Sequence, residues 1–424
     1  MNDPRSPSAA IAADPARPAA PDVRARLALR LLQSLRIGEL ELIFPDRSTL
    51  QLRGDATAHA PAQAAHRAQL ELHDYRALSM AVSRGDIGFG EGYMQGLWST
   101  PNLTALLRLC AANREALTTA VYGQWWATLV DQVLHLLRSN RKSQARKNIS
   151  AHYDLGNAFY AIWLDPTMTY SSALFDRSGC RGQEVDLQAG QERKIDRAID
   201  QLGIDPQNAH ARVLEIGCGW GGLARRLLTR TACHYKGLTL STEQKAWAED
   251  CTREFSAGRA HFALQDYRDE TEQFDAIVSI EMFEAVGERY WQTYFDTLRD
   301  RLRPNGRALI QTIVIRDALF ERYRRGTDFI QRYIFPGGML PSPSTFKQLA
   351  HDRGLTIVDS FGFGQDYART LSEWLKRFDA RRSDIEALGF DASFQRMWRF
   401  YLAYCEAGFA EGDIDVIQYT LTKS

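Results

Sequence analysis

Residues 211–222, ARVLEIGCGWGG, decide the fold. Val213 to Ile216 read as a short buried strand that runs straight into glycines at Gly217, Gly219, Gly221 and Gly222, and an apolar helix follows from Leu223 to Leu228. Strand, glycine turn and helix together form a nucleotide pocket. Glycine lacks Cβ, so the turn can take positive φ and let a ligand approach the backbone, while the helix presents its N-terminal dipole. Glycine turns also occur in α/β proteins that bind nothing, so the choice rests on the surroundings.

The spacing of Gly217, Gly219 and Gly222 also fits a dinucleotide fingerprint. Two neighbours argue against NAD. Glu215 stands two residues before the first glycine, where an acid can hold a cationic group such as the ammonium of a methionine moiety. About twenty residues on, where a ribose-binding acid is expected, the second strand ends in Gly237-Leu238-Thr239-Leu240-Ser241 with no carboxylate. S-adenosylmethionine is the expected cofactor.

Beyond this turn, strands are predicted at Tyr235–Leu240, Ala260–Leu264, Phe274–Ile280, Arg307–Ile315, Leu355–Phe361 and Asp415–Leu421. Helices are predicted at Thr242–Phe255, Glu288–Leu302 and Ser344–His351, with a largely helical insertion at Tyr367–Phe409. Alternating strands and helices give an α/β fold with a doubly wound, Rossmann-like parallel sheet. Ligands should sit at the carboxyl ends of its strands, which are Gly217–Trp220, Thr239–Gln244, Gln265–Tyr267, Ile280–Glu284 and Gln311–Ile315. The insertion, and the arginine- and aromatic-rich stretch Arg316–Leu340, lie on the same side or its rim, where an acceptor site would be built.

A chain of 424 residues suggests two domains. Residues 1–22, rich in Ala, Pro and Asp and lacking an apolar signal core, read as a disordered tail. Residues 23–130 predict a small α+β domain, with a helix at Arg24–Ser34 and strands at Gly38–Phe44, Ser48–Arg53 and Ala68–Leu72. Helices follow at Leu78–Val82 and Gly90–Trp98 around a glycine turn, and at Leu103–Leu117. This domain shows no cluster of acid, base and nucleophile, so it reads as a binding or dimerising module. Residues 131–150 form a basic linker whose Gln132–Ser150 stretch carries Arg138, Arg141, Lys142, Arg146 and Lys147 and no acid. Such a run is either a solvated linker or a site of attraction to anionic lipid, worth roughly 1 kcal/mol per basic residue. Residues 151–424 make the cofactor domain.

Lys plus Arg and Asp plus Glu both total 52, so no overall field favours nucleic acid. The six cysteines form no CxxC pair and no obvious metal or disulfide framework, which points to a reduced, cytoplasmic compartment and no metal. No apolar run reaches the roughly eighteen residues of a membrane span.

Taken in order, GDIGFGEGYMQGLW (85–98), HYDLGNAFYAIWLDPTMTYSSALF (152–175), VLEIGCGWGG (213–222), GLTLSTEQ (237–244), FEAVGERYW (283–291), RYIFPGGMLPS (332–342), YARTLSEW (367–374) and YCEAGF (404–409) resemble the cyclopropane-fatty-acyl-phospholipid synthase family and the related mycolic acid cyclopropane synthases. The resemblance covers nearly everything from about Asp86 onward. It implies one-carbon transfer from S-adenosylmethionine to the cis double bond of an acyl chain in a membrane phospholipid, giving a cyclopropane chain. The enzyme would then sit peripherally on the inner face of the membrane, with the first domain aiding dimerisation and membrane engagement.

The same resemblance implies Tyr170 and Ser171 at the methionine end of the cofactor, with Gly217 and Gly219 beneath it. Thr239 and Gln244 would lie near the ribose, and Gln265 and Asp266 near the adenine. It implies a bicarbonate base held by Glu284, Tyr367 and backbone at Ile280 and Ile313, with Ser172 and Gln311 where well-known members carry cysteine and histidine. Cys405 matches a cysteine commonly labelled catalytic, although methyl transfer to an alkene needs no thiol nucleophile and the residue also reads as structural.

An alkene is a weak nucleophile, so the reaction depends on positioning in a dry pocket. Aromatic faces at Tyr153, Tyr170 and Phe283 could stabilise the resulting carbocation, and the aromatic run around them reads as core or as a lid over the cofactor. Ser172 and Gln311 still donate hydrogen bonds, but without a histidine's charge. That departure opens an alternative, a divergent fatty-acyl methyltransferase with a methyl- or methylene-branched product. A small soluble acceptor is disfavoured by the basic linker and the aromatic, arginine-rich insertion. A non-enzymatic lipid carrier is disfavoured by Glu215, Gly217, Gly219 and Glu284.

Overall fold

Leu40 and Leu42 alternate with polar residues along Glu39–Ile43 (β1), and the strand buries them on one face. The structure is a computed structural model that describes residues 20–54, 66–118, 155–175, 186–255 and 258–423. Most of the N-terminal tail, the basic linker and Tyr153 lie outside the described residues. β1 pairs antiparallel with Thr49–Arg53 (β2) and parallel with Arg67–Leu72 (β3), and Trp98–Ser99 (β4) completes a sheet of order β2-β1-β3-β4. The hairpin turns at Asp46, whose carboxylate accepts from Ser48 N at 3.0 Å. The expected pair of helices around a glycine turn lies within Arg76–Met94, where Arg84 and Gly85 take non-helical φ/ψ and separate the two. Gly85 takes φ of 60° there, which ends the first helix and turns the chain into the second. Trp98 accordingly belongs to a strand rather than to the helix end.

The cofactor domain is built on seven strands: Arg212–Ile216 (β5), His234–Thr239 (β6), Ala260–Leu264 (β7), Phe274–Ile280 (β8), Leu302–Ile315 (β9), Leu355–Gly362 (β10) and Ile414–Lys423 (β11). Their order is β10-β11-β9-β8-β5-β6-β7. β5 to β9 pair in parallel, which fits the near-continuous apolar runs of β5 and β8, buried on both faces. The sheet is not purely parallel, because β11 lies antiparallel between β9 and β10. That insertion sets Gln418 opposite Gln311 across the ladder. A helix absent from the sequence assignment, Leu187–Gln201, precedes β5 and buries Ile195, Ala198 and Ile199 together with Lys194.

The aromatic run is core rather than lid. Phe159, Tyr160 and Trp163 on the helix Asn157–Trp163 are completely buried. They pack against the helices Gly364–Ala380 and Ala392–Ala410, with Phe159 edge-on to Trp398 at 5.0 Å and Trp163 edge-on to Trp374 at 5.5 Å. Truncating one such aromatic to alanine costs about 3–5 kcal/mol. The same helical insertion receives the first domain. Arg108 pairs with Glu411 at 2.7 Å, and Asp86 accepts from Tyr404 OH at 2.9 Å and from Phe329 N at 3.1 Å.

Candidate functional site

At the end of β5 the chain must turn sharply toward the helix Gly222–Arg230, and it does so through Gly217 and Gly219 at φ of 84° and 49°. A Cβ on Gly217 would lie 2.8 Å from Met282 Cγ, whereas a Cβ on Gly219 would meet nothing within 4 Å and would project into open pocket. No side chain caps the first turn of the helix that follows, so its N–H groups and dipole face the same space. Glu215 is buried behind the turn and accepts from Tyr235 OH at 2.5 Å. Burial pushes its carboxyl up to about 7, against the pull of the tyrosine hydrogen bond and the Lys194 ammonium. A cationic ligand would favour its ionised form.

Across the neighbouring strand ends, Thr239 Oγ1 donates to Gln244 Oε1 at 2.8 Å. Gln265 donates to Glu270 at 3.4 Å, and Asp266 caps the next turn and pairs with Arg268 at 2.6 Å. All four line the cavity reached from the glycine turn. Tyr170 lines it too and shares a hydrogen bond with Tyr401 OH at 2.7 Å, while Ser171 Oγ accepts from the buried Lys194 ammonium at 2.5 Å. Phe283, expected to face a carbocation, is instead fully buried among Trp291, Tyr294, Phe295 and Phe346.

The anion-binding set divides into two. Ser172 N, Gln311 Nε2 and Tyr367 OH all donate to Glu281, at 2.9, 2.7 and 2.5 Å. Ser172 takes part through its backbone, its hydroxyl being turned to Ala173 O at 3.0 Å. Ile313 N donates instead to Glu284 Oε1 at 2.5 Å, and Glu284 Oε2 is buried without a partner. Burial, then the nearby charge of Glu281, pushes the Glu284 carboxyl up to about 8, so this group is a neutral acid at pH 7. Ile280 ends β8 immediately before Glu281. Cys405 lines the cavity, but burial pushes its thiol up, away from the thiolate a nucleophile needs. No metal-binding cluster exists among the described residues.

Glu281 and Lys194 carry no motif that singles them out in the sequence. Lys194 sits one turn after Gly190 and one before Ala198 on the buried face of its helix, a misplaced cation in an apolar stripe. Glu281 stands at the carboxyl end of β8, within the span where ligands collect, yet beside a better-matched glutamate.

A glycine turn that leaves room for a ligand, a buried acid behind it and a polar pocket across the ends of β6 and β7 define an S-adenosylmethionine-dependent methyltransferase, with that cofactor as methyl donor. Residues 140–419 match the family described as mycolic acid cyclopropane synthetase, and the chain belongs to that family. The chain is 40% identical over 391 residues to the tuberculostearic acid methyltransferase UfaA1 of Mycobacterium tuberculosis, covering 91% of this chain and 88% of the relative. It is 33% identical over 347 residues to the cyclopropane-fatty-acyl-phospholipid synthase of Escherichia coli, covering 81% and 84%. The crystal structure of the mycolic acid cyclopropane synthase CmaA1 complexed with SAH and CTAB superposes with a TM-score of 0.60 at 31% identity, over 66% of this chain and 98% of that one.

Proposed function

We propose that the enzyme transfers a one-carbon unit to the cis double bond of an unsaturated acyl chain carried by a membrane phospholipid. The observation that carries this reading is the cavity itself. Its volume is about 910 Å³, and its lining extends from Gly219 and Glu215 to Leu78, Val82 and Leu107 near the N-terminal sheet. A polar head of the cavity suits S-adenosylmethionine, and an apolar tail suits the far end of an acyl chain. A small soluble acceptor would have no use for that tail. Among the described residues no helix is long and apolar enough to cross a membrane.

When bound, the cofactor supplies an electrophilic methyl group. Tyr170 and Tyr401 line the cavity and offer electron-rich faces to a cation on the chain. The alkene π pair forms the new carbon–carbon bond, leaving a cation on the chain. Loss of a proton from the new methyl group then closes a cyclopropane ring or, after a hydride shift, leaves a methylene branch.

We favour the branched product, because the relative named as a tuberculostearic acid methyltransferase matches at 40% identity over 91% of the chain. The ring is the second reading, supported by the synthase relative at 33%. The test is to express the chain in a host lacking any such enzyme and examine its fatty acids by mass spectrometry and proton NMR. Both products are heavier than their monoene by one CH2. Vinylidene protons identify the branch and high-field ring protons the cyclopropane; an unchanged lipid profile, with saturable cofactor binding, would refute the acyl acceptor.

A further inference from the structure

Glu281 occupies a position that costs the backbone. It is a non-glycine residue at φ of 50°, at the very end of β8, where such a conformation is strained. The turn delivers its side chain to the cavity beside Gly217 and Tyr367. There its carboxylate meets donors from three separate parts of the chain, Ser172 N, Gln311 Nε2 and Tyr367 OH. Gln311 is held in that orientation, since its Oε1 accepts from Gln418 Nε2 at 3.0 Å and Gln418 Oε1 accepts from Arg197 at 2.6 Å. The whole set is arranged to hold an anion, and the protein supplies that anion itself.

We propose that Glu281 is the base of the transfer reaction, its carboxylate standing where an exogenous anion would otherwise be bound. This rests on the acyl-acceptor reading given above. Bicarbonate does not fit this site, because the donors it would need are already engaged by Glu281. The chemistry needs one proton acceptor. As the alkene pair bonds the methyl carbon and the sulfur–carbon pair returns to sulfur, the chain becomes a cation. Glu281 then takes a methyl proton, and that C–H pair becomes the third ring bond or, after the hydride shift, the methylene double bond. No electrons are gained or lost, and the product departs leaving Glu281 as a neutral acid for water to deprotonate.

The other groups facing the cavity serve this role less well. Glu284 holds its proton up to about 8, burial pushes the Tyr367 phenol and the Cys405 thiol up, and Lys194 is a cation donating to Ser171. Lys194 and the three donors work against the burial that raises the Glu281 carboxyl, and so favour its charged form.

Two substitutions in the full-length enzyme test the proposal. Glu281→Gln keeps the shape and removes the base, so turnover should fall about 10²–10⁴-fold while calorimetric affinity for S-adenosylmethionine stays within a few-fold. Glu281→Gly suits the positive φ and opens a hole among the donors, so formate or bicarbonate should restore turnover at least tenfold. A second readout needs no turnover: titration with ¹³C-bicarbonate by NMR should show saturable binding to the Glu281→Gly protein and none to the wild type. Saturable binding to the wild type, loss of wild-type activity in CO2-depleted buffer, or full turnover in Glu281→Gln would each overturn the assignment. If the wild type processes no acyl chain at all, the acceptor reading fails, and the bicarbonate contrast still decides whether Glu281 fills the anion site.

Discussion

Replacing Glu284 by Gln should flatten the pH dependence of stability. Ile313 N–H occupies one oxygen of Glu284, and the other is buried without a partner. Burial and the charge on Glu281 raise its carboxyl from 4.5 to about 8. Between those values the folded protein keeps a proton that the unfolded chain has released. Stability therefore falls as pH rises through this window, by up to about 1.4 kcal/mol per pH unit. From pH 5 to pH 8 the wild type should lose on the order of 3–4 kcal/mol from this one group. Gln retains the acceptor for Ile313 and has no proton to lose. Glu215 and Asp328, both raised to about 7, tilt the wild type and the variant alike and cancel in the comparison.

Urea unfolding of both proteins at several pH values from 5 to 8.5 measures the effect. The variant should be close to the wild type at pH 5 and more stable by about 3 kcal/mol at pH 8. Parallel pH curves would show that Glu284 is ionised in the folded state and refute the reasoning.

Gly219→Ala adds a methyl that meets no protein atom but sits at φ of 49°, so it should cost about 1–2 kcal/mol of stability, and calorimetry at a temperature where it remains folded should show affinity for S-adenosylmethionine weakened tenfold or more because that methyl enters the cofactor's space. Glu215→Gln should weaken the cofactor by about 1.5–3 kcal/mol, the scale of a hydrogen bond to a charged group, without loss of melting temperature; unchanged affinity would move the acid out of the binding role. Lys194→Met removes the buried cation that opposes the upward shift of the Glu281 carboxyl, so the acidic limb of the kcat/KM profile should move to higher pH. Cys110→Phe narrows the apolar end of the cavity in the first domain, and competition between phospholipids of different chain length should show a selective loss of the longer acyl chains.

The sheet and the cofactor turn were legible because they depend on local pattern. β5 to β8 are short apolar runs closed by turns, and Gly217 and Gly219 stand where only glycine serves two needs at once, positive φ and room for a ligand. The antiparallel place of β11 was not legible, since Asp415–Leu421 reads as a strand wherever it pairs. That pairing is what sets Gln418 against Gln311 and so orients Gln311 toward Glu281. Ser172 was singled out for its hydroxyl and contributes its backbone N–H, a group that every residue except proline carries.

The reason Glu281 stayed hidden is physical. Glu281 follows the last residue of β8 at a positive φ, a backbone state that no sequence pattern here announces for a glutamate. Two half-buried carboxyls so close cannot both ionise cheaply, and the structure resolves the conflict asymmetrically. Glu281 has three donors and the Lys194 ammonium in its favour, while Glu284 has the charge of Glu281 against it and one oxygen buried without a partner. Glu281 is thereby the easier of the two to ionise. A lone buried anion in the same pocket would be expensive to hold, but an anion fixed covalently to β8 needs no binding equilibrium, and its position is secured at the moment of folding.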